Sequence, residues 1–138
     1  MEVAAEVEGT AGIDAAGGTA QAFPCDVLDT SALKECSRAV CDRWGALDFL
    51  INGAGGNHPR GSTSEEFYAI GGSADKAERS FFDLEAGDFR GVFDLNFMGA
   101  FLTSQAFARA MIAKSQGAIV NISSMSAFTP LTKVVAYS

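Results

Sequence analysis

The chain has 138 residues, a net charge of −7, and 48% hydrophobic and 20% charged residues, a composition typical of one globular domain. Its lysines and arginines are scattered and no apolar run approaches the ~20 residues of a membrane helix, which argues against nucleic acid and membrane as partners. The cysteines form no CxxC pair and the single histidine stands alone, so no metal site is expected. No signal peptide is visible in the first residues, and we expect a cytoplasmic protein.

Hydrophobic periodicity divides the chain into alternating helices and strands. The predicted elements are a helix over 2–8, a strand over 19–25, a helix from about 29–31 to Gly45, a strand over 47–51, a helix in two pieces over 85–115 and a strand over 118–122. The polar residues 57–80 predict a long loop, which is uncommon without a functional reason. This order favours an α/β fold with a parallel sheet in three α/β/α layers.

Two short motifs follow predicted strands, where ligands of open α/β sheets bind. Asp26 and Val27 follow the first strand, although an aspartate in such a place is more often a helix cap than a ligand. The turn Asn52-Gly53-Ala54-Gly55 follows the strand 47–51 and has enough glycine to let a ligand approach the backbone. The alternative for this turn is a tight bend that needs positive φ.

Three more residues bear on chemistry. Asn96 lies within the long predicted helix, where an asparagine is otherwise a mild defect that faces solvent. Ser124 follows the last strand, and Tyr137 comes thirteen residues later. A tyrosine hydroxyl can pass a proton to or from a carbonyl or carbinol oxygen, while a serine hydroxyl can bind that oxygen and fix it.

Together these motifs resemble the short-chain dehydrogenase/reductase family from about residue 17 onward. The resemblance implies a partial Rossmann-type, doubly wound parallel sheet and hydride transfer between NAD or NADP and a carbonyl or secondary alcohol. The residues it implies are Asp26 and Val27 at the adenine, Asn52, Gly53, Ala54 and Gly55 at the adenosine ribose, Asn96 holding a proton-relay water, Ser124 orienting the substrate, and Tyr137 as acid or base.

The resemblance also implies parts that this sequence does not contain. The family's phosphate-binding glycine turn and the strand that selects NAD or NADP would precede these residues, and the lysine that assists the tyrosine would stand four residues beyond Tyr137. We therefore expect a truncated chain that binds the dinucleotide weakly or not at all and is inactive by itself. The alternative function is that of a non-catalytic remnant acting as a binding or oligomerisation module.

The segment Asn-Gly-Ala-Gly-Gly-Asn-His-Pro, followed by a long insertion, is most similar to the sugar-acid branch of the family, the mannonate oxidoreductase or fructuronate reductase type. The implied small-molecule substrate is a hexuronate-derived ketone. The loop 57–80 is then expected over the mouth of the active site, with His58 and Arg60 as candidates for binding the substrate carboxylate. A solvated surface arginine is the alternative for Arg60.

Two expectations concern assembly and anchoring. Phe93, Phe97, Phe101 and Met111 give one helix more apolar surface than a sheet face needs, so we expect a homodimer or homotetramer that packs through it. The strands 47–51 and 118–122 should pair with each other. Residues 1–44 should be the least well anchored part of the single partial domain, or should pair with 47–51 in a rearranged sheet.

Overall fold

The structure is a computed structural model and describes residues 16–68, 70 and 79–138. The helix expected over 2–8 and part of the loop 57–80 lie outside the described residues. The helices and strands are α1 (Thr30–Trp44), β1 (Phe49–Asn52), α2 (Ala86–Phe93), a π-helical turn (Asp94–Met98), α3 (Gly99–Ile112) and β2 (Ala118–Asn121). Short 3-10 helices lie at Pro59–Gly61, Phe81–Asp83 and Met125–Ala127.

Helix α1 begins and ends where its capping residues predict. The Asp29 carboxylate accepts hydrogen bonds from the backbone N–H groups of Ser31 and Ala32, at 2.8 and 3.1 Å. These are two of the donors that the first turn of a helix leaves without an internal partner. Gly45 ends the helix with a φ of 82°, and its N–H donates to the Cys41 carbonyl at 2.7 Å. A left-handed residue at this position is characteristic of glycine.

The sheet consists of β1 and β2 in parallel pairing, with Phe49 opposite Ala118 and Asn52 opposite Asn121. The predicted pairing of these two segments is therefore confirmed. The strand predicted over 19–25 is wrong, because this segment is irregular and joins no sheet. A loosely alternating sequence becomes a strand only beside a neighbour that takes its backbone hydrogen bonds, and the described residues offer it none.

The core forms where α1 packs against α3 and α3 packs against the sheet. Its buried apolar side chains include Leu33, Phe107 and Met111, with Leu33 only 2% exposed. The Ser37 hydroxyl adds a hydrogen bond from α1 to the Ala106 carbonyl on α3, at 3.2 Å. The expectation that residues 1–44 are the least well anchored part is thus wrong for α1, and none of residues 16–44 pairs with β1. Residues 1–15 lie outside the described part.

The two faces of the sheet differ in burial. Asn52 is buried and bonded to α3, whereas Phe49 and Ile51, which point the other way, are 72% and 66% exposed. In the described residues, α1 and α3 thus lie on one side of the sheet. The α/β class and the parallel sheet are confirmed, while the third layer is not seen among these residues. No helix in the described ranges is long and apolar enough to cross a bilayer.

Met111 does not belong to the exposed aromatic stripe in which the sequence analysis placed it. It is 6% exposed and lies against Gly117, where an added Cβ would come within 2.8 Å of the Met111 Cβ. Gly117 has a φ of 157° and turns the chain from α3 back into β2 across this side chain. Phe93, Phe97 and Phe101 are exposed, as an interface helix requires.

A matched pair of glycines tests the packing between α3 and the segment that precedes α1. An added Cβ at Gly99 would lie 2.9 Å from Cγ2 of Val27, whereas an added Cβ at Gly91 meets nothing within 4 Å. We expect Gly91→Ala to stabilise the chain by about 0.5–1 kcal/mol through helix propensity. Gly99→Ala should instead destabilise it by about 1–2 kcal/mol, because the methyl overpacks against Val27. Urea denaturation of both variants measures the difference; equal stabilisation by both would contradict the close packing.

Candidate active site

A cavity of about 530 Å³ opens at the carboxyl ends of β1 and β2, and we call it the strand-end cavity. Its walls come from the turn after β1, the π-helical turn with the start of α3, the end of β2, and the segment near Tyr137. The lining residues are Asn52, Gly53, Ala54, Gly55, Gly56, Asn96, Phe97, Ala100, Phe101, Ser104, Asn121, Ile122, Ser123 and Tyr137. This is the edge of a parallel sheet at which ligands of α/β folds bind.

The turn after β1 supplies one wall through its backbone. Of its four residues 53–56 only Ala54 carries a side chain, a methyl group, so a ligand could approach the main chain closely. Positive φ occurs in this turn only at Gly56, at 142°. Gly55 has a different constraint, because an added Cβ would lie 2.5 Å from Oδ1 of Asn96. Because Gly55 has no side chain, the Asn96 amide can come close enough to hydrogen-bond the backbone of Gly56.

Asn52 is 8% exposed and connects three elements by its side chain. Its Nδ2 donates to the Ser104 hydroxyl on α3 at 2.9 Å and to Oδ1 of Asn121 on β2 at 2.8 Å. Its own Oδ1 is buried and has no protein partner. The amide of Asn52 thus fixes the floor of the cavity, while the backbone beside it remains for contact with a ligand.

Asn96 lies in the π-helical turn, and its side chain joins that turn to the glycine turn. Nδ2 donates to the carbonyls of Val92 and Gly56, both at 2.8 Å, while Oδ1 accepts from the Gly56 N–H at 2.8 Å. The π-helical turn interrupts the regular helical hydrogen bonding at this residue. Instead of facing solvent, the amide faces the cavity and makes three hydrogen bonds to backbone, which leave Oδ1 able to accept one more. π-turns of this kind are frequent at functional sites.

Ser124 and Tyr137 follow β2, but only Tyr137 lines the cavity. Tyr137 lies in a single turn that is closed by the Ser138 N–H and the Val134 carbonyl at 3.1 Å. The Ser124 hydroxyl accepts from the Ser126 N–H at 3.1 Å and caps the short helix Met125–Ala127. The structure thus brings Asn96 and Tyr137 together at one cavity and leaves Ser124 just outside it, next to the lining residue Ser123.

Asp26 and Val27 lie apart from the strand-end cavity. The exposed Asp26 carboxylate accepts from the Leu28 N–H at 2.9 Å, and Val27 packs against Gly99. Burial raises the pKa of the neighbouring Cys25 thiol, with a smaller contribution from the nearby Cys36, so this thiol is kept protonated near neutral pH. Asp26 is therefore the only charged side chain this motif presents to solvent.

His58 and Arg60 do not line the cavity either. His58 Nδ1 accepts from the Arg60 N–H at 3.2 Å and caps the helix Pro59–Gly61. Arg60 Nε lies 3.1 Å from Oδ1 of Asp88 on α2, with the arginine side chain 66% exposed and the aspartate 14% exposed. Both side chains are thus engaged within the loop or with α2.

Several lining residues had no predicted role in the site, among them Phe97, Phe101, Ser104 and Asn121. Phe97 and Phe101 were assigned to an interface stripe, yet both also border the cavity. For Ser104 the spacing from Asn96 was the available signal, because residues four and eight positions apart on a helix share one side. Asn121 could be found only through its register with Asn52.

The hydrogen bonds of Asn96 predict a local effect of replacing it. Asn96→Ala removes both partners of the Gly56 main chain, so the Gly56 amide should exchange with solvent about ten- to a hundredfold faster, as expected for a lost bond of about 1–3 kcal/mol. Amide hydrogen exchange by NMR measures this. Gln105→Ala, at an exposed position of α3, is the control and should leave Gly56 protected. Unchanged exchange in Asn96→Ala would contradict the geometry.

Comparison with known proteins identifies the family. The family model for short chain dehydrogenases matches residues 2–138. Over 126 residues the chain is 48% identical to an uncharacterized oxidoreductase of Bacillus subtilis, UxuB, and 44% identical to one of Haemophilus influenzae, covering 91% of this chain and 44% of each relative. It therefore spans less than half the length of these relatives.

Solved structures agree with this result. A Haemophilus influenzae protein provisionally described as a D-mannonate oxidoreductase, with bound NAD, superposes with a TM-score of 0.83 at 42% identity, over 93% of this chain and 45% of that one. An NAD+-bound xylitol dehydrogenase gives a TM-score of 0.71 at 28% identity, over 93% of this chain and 42% of that one. With the parallel sheet and the strand-end cavity, these matches establish that the chain belongs to the short-chain dehydrogenase family of oxidoreductases.

Proposed function

We propose that this chain supplies part of the cofactor and catalytic site of an oxidoreductase that transfers hydride between NAD or NADP and a carbonyl or secondary alcohol. The observation that carries the proposal is the strand-end cavity, in which the glycine turn, Asn96 and Tyr137 meet. A phenol hydroxyl beside a turn open to ligands suits a reaction in which an oxygen gains or loses a proton. The family membership supports the same reaction class.

The residues present fit the adenosine side of a dinucleotide. The main chain of the turn 53–56 is open to the cavity, and its side chains add only one methyl group. The backbone of Asn52, Gly53, Ala54 and Gly55 would border the ribose, while the exposed Asp26 carboxylate and the Val27 N–H would contact the adenine. When bound, the nicotinamide supplies or accepts the hydride. Relatives of known structure carry NAD or NADP, which supports this cofactor class without selecting between the two.

The proton chemistry belongs to Tyr137 and its neighbours. The Tyr137 hydroxyl gives a proton to the carbonyl oxygen in reduction and takes it back from the alcohol in oxidation. The Ser124 hydroxyl binds the same oxygen once it turns from its present bond with the Ser126 N–H. Asn96 holds the glycine turn in place and keeps the π-helical turn open beside the cavity, where it would bind the relay water.

A substitution in a chimaera tests the catalytic role of Tyr137. The 126 residues that align with the Haemophilus influenzae relative replace their counterpart in that protein, and the chimaera is assayed with NAD and D-mannonate and with NADH and D-fructuronate. Tyr137→Phe should lower kcat about a hundredfold or more by removing the proton donor. The matched control is Tyr68→Phe, at the chain's other tyrosine, which is 63% exposed. Undiminished turnover in Tyr137→Phe would overturn the assignment.

The 138-residue chain alone gives a complementary result. The motifs recognised in these residues include no phosphate-binding glycine turn, and such turns provide the backbone donors for a pyrophosphate. We expect calorimetry to detect no micromolar binding of NAD(H) or NADP(H) to this chain, and no turnover of D-mannonate or D-fructuronate. Micromolar binding, or turnover by the purified chain, would show that the residues present are sufficient.

The substrate is proposed to be a sugar acid, with Arg60 and His58 binding its carboxylate. The support is the similarity to a provisional D-mannonate oxidoreductase and the exposure of the Arg60 side chain. Because Nε of Arg60 is paired with Asp88, the other guanidinium nitrogens would contact the carboxylate. In the chimaera, Arg60→Ala should raise KM for D-mannonate far more than KM for a neutral polyol. Equal changes for both substrates would assign Arg60 to the ion pair alone.

We further propose a cytoplasmic homodimer or homotetramer that assembles through α2 and α3. Phe93 and Phe97 stack at 5.0 Å between ring centroids, and Phe93, Phe97 and Phe101 are each at least half exposed. This face also suits the alternative function, a binding or oligomerisation module. Light scattering at tens of micromolar should show a dimer or larger species that Phe93→Lys dissociates and Gln105→Lys does not. A monomer in the unsubstituted chain would contradict the assembly.

A further inference from the structure

The beginning of the long loop is bonded to the segment that leads into Tyr137. The Ala136 N–H donates to the Gly61 carbonyl at 3.1 Å, and the Thr63 N–H donates to the Lys133 carbonyl at 2.8 Å. Lys133 has a φ of 68°, which is unfavourable for a residue with a side chain, so its conformation depends on such contacts. The two hydrogen bonds thus join Gly61 and Thr63, near the start of the loop, to Ala136 and Lys133, just before Tyr137.

Gly61 lies at the closest point of this contact. It is buried, and an added Cβ would be 2.8 Å from the Ala136 Cβ and 3.3 Å from Cγ2 of Val92 on α2. Its φ is not in the left-handed region, so backbone freedom does not explain the glycine. The lack of space explains the glycine, because any side chain at position 61 would force the loop and Ala136 apart.

The loop side of the contact is held firmly. Arg60 pairs with Asp88, and Arg79 Nη1 donates to the Arg60 carbonyl at 2.9 Å. Ser64 and Arg79 exchange two further hydrogen bonds, from the Ser64 N–H to the Arg79 carbonyl at 2.8 Å and from the Arg79 N–H to the Ser64 hydroxyl at 2.9 Å. An added group at position 61 would therefore displace the Ala136 side, and Tyr137 is the next residue.

We propose that Gly61 is a positioning residue for Tyr137. The missing side chain lets Ala136 approach the loop to van der Waals distance, and this approach sets where the phenol enters the strand-end cavity. The inference rests on the proposed function, in which Tyr137 transfers the proton. It assigns the first part of the loop a role beside the catalytic tyrosine, in addition to the substrate contacts proposed for His58 and Arg60.

The structural part of the proposal is tested in the 138-residue chain. Gly61→Ala should increase hydrogen exchange of the amide at position 136 about tenfold and shift the ring resonances of Tyr137. The double variant Gly61→Ala/Ala136→Gly removes the clashing methyl and should restore both. Gly87→Ala is the matched control, because an added Cβ there meets nothing within 4 Å. If Gly61→Ala fails to fold, Ala136→Ser, which adds one atom from the other side, must give the same two changes.

The catalytic part is tested in the chimaera described above. Gly61→Ala should lower kcat about tenfold or more, because small misplacements of a reacting group are costly, while KM for NAD changes less than about twofold. Ala136→Gly in the same background should restore kcat to within about threefold of the unsubstituted chimaera. Unchanged kcat in Gly61→Ala, or a loss that Ala136→Gly does not rescue, would overturn the proposal.

The two arms separate failure of this inference from failure of the proposed function. A chimaera without turnover in its unsubstituted form refutes the proposed function. The exchange and ring-shift measurements then still decide whether Gly61 positions Tyr137. Turnover in the chimaera with normal exchange at position 136 in Gly61→Ala refutes the positioning role alone.

Discussion

The two-way hydrogen bonding between the Asn96 side chain and the Gly56 main chain is the constraint on which the rest of the site depends. One amide both donates to and accepts from the same residue, at 2.8 Å in each direction, and also takes a carbonyl of its own helix. Only a side-chain amide offers a donor and an acceptor at this reach. An aspartate would place negative charge against two carbonyl oxygens. The widened helical turn and the glycine turn therefore hold each other, and the cavity lies between them.

A second close contact beside the cavity lies a few residues further along the chain. Gly56 precedes the loop in which Gly61 meets Ala136, and the residue after Ala136, Tyr137, lines the cavity. Asn96 and Tyr137 are distant in sequence, yet the residues that contact Asn96 and Ala136, Gly56 and Gly61, are only five positions apart. The aromatic residues of α3 complete the wall, so the long helix serves both the core and the site. Glycine occurs at two of these close approaches, Gly55 beside Asn96 and Gly61 beside Ala136.

The sequence was informative where the relevant interaction is local. Asp29 and Gly45 mark the ends of α1 through contacts within one helical turn. The two apolar runs 47–51 and 118–122 predict the paired strands. The sequence was misleading where a residue distant in the chain determines the local conformation or burial. The segment 19–25 has the alternation of a strand but no neighbouring strand in the described residues, and Met111 has helical spacing but is covered by the turn at Gly117. The pairing of Arg60 with Asp88 also depends on the fold. Asn96 was predicted from its motif. Its hydrogen bonds to Gly56 could not be predicted, because they join residues that are 40 positions apart in the chain.

The amide pair Asn52 and Asn121 stands at the last position of the two paired strands, where the sheet meets the cavity. A slip of one residue between the strands would turn every side chain to the opposite face and set an asparagine against an aliphatic neighbour. The remaining pairs along the strands are apolar and would tolerate such a slip more readily. The hydrogen bond between the two asparagines therefore favours this register over its neighbours, and the same register sets two residues that line the cavity side by side.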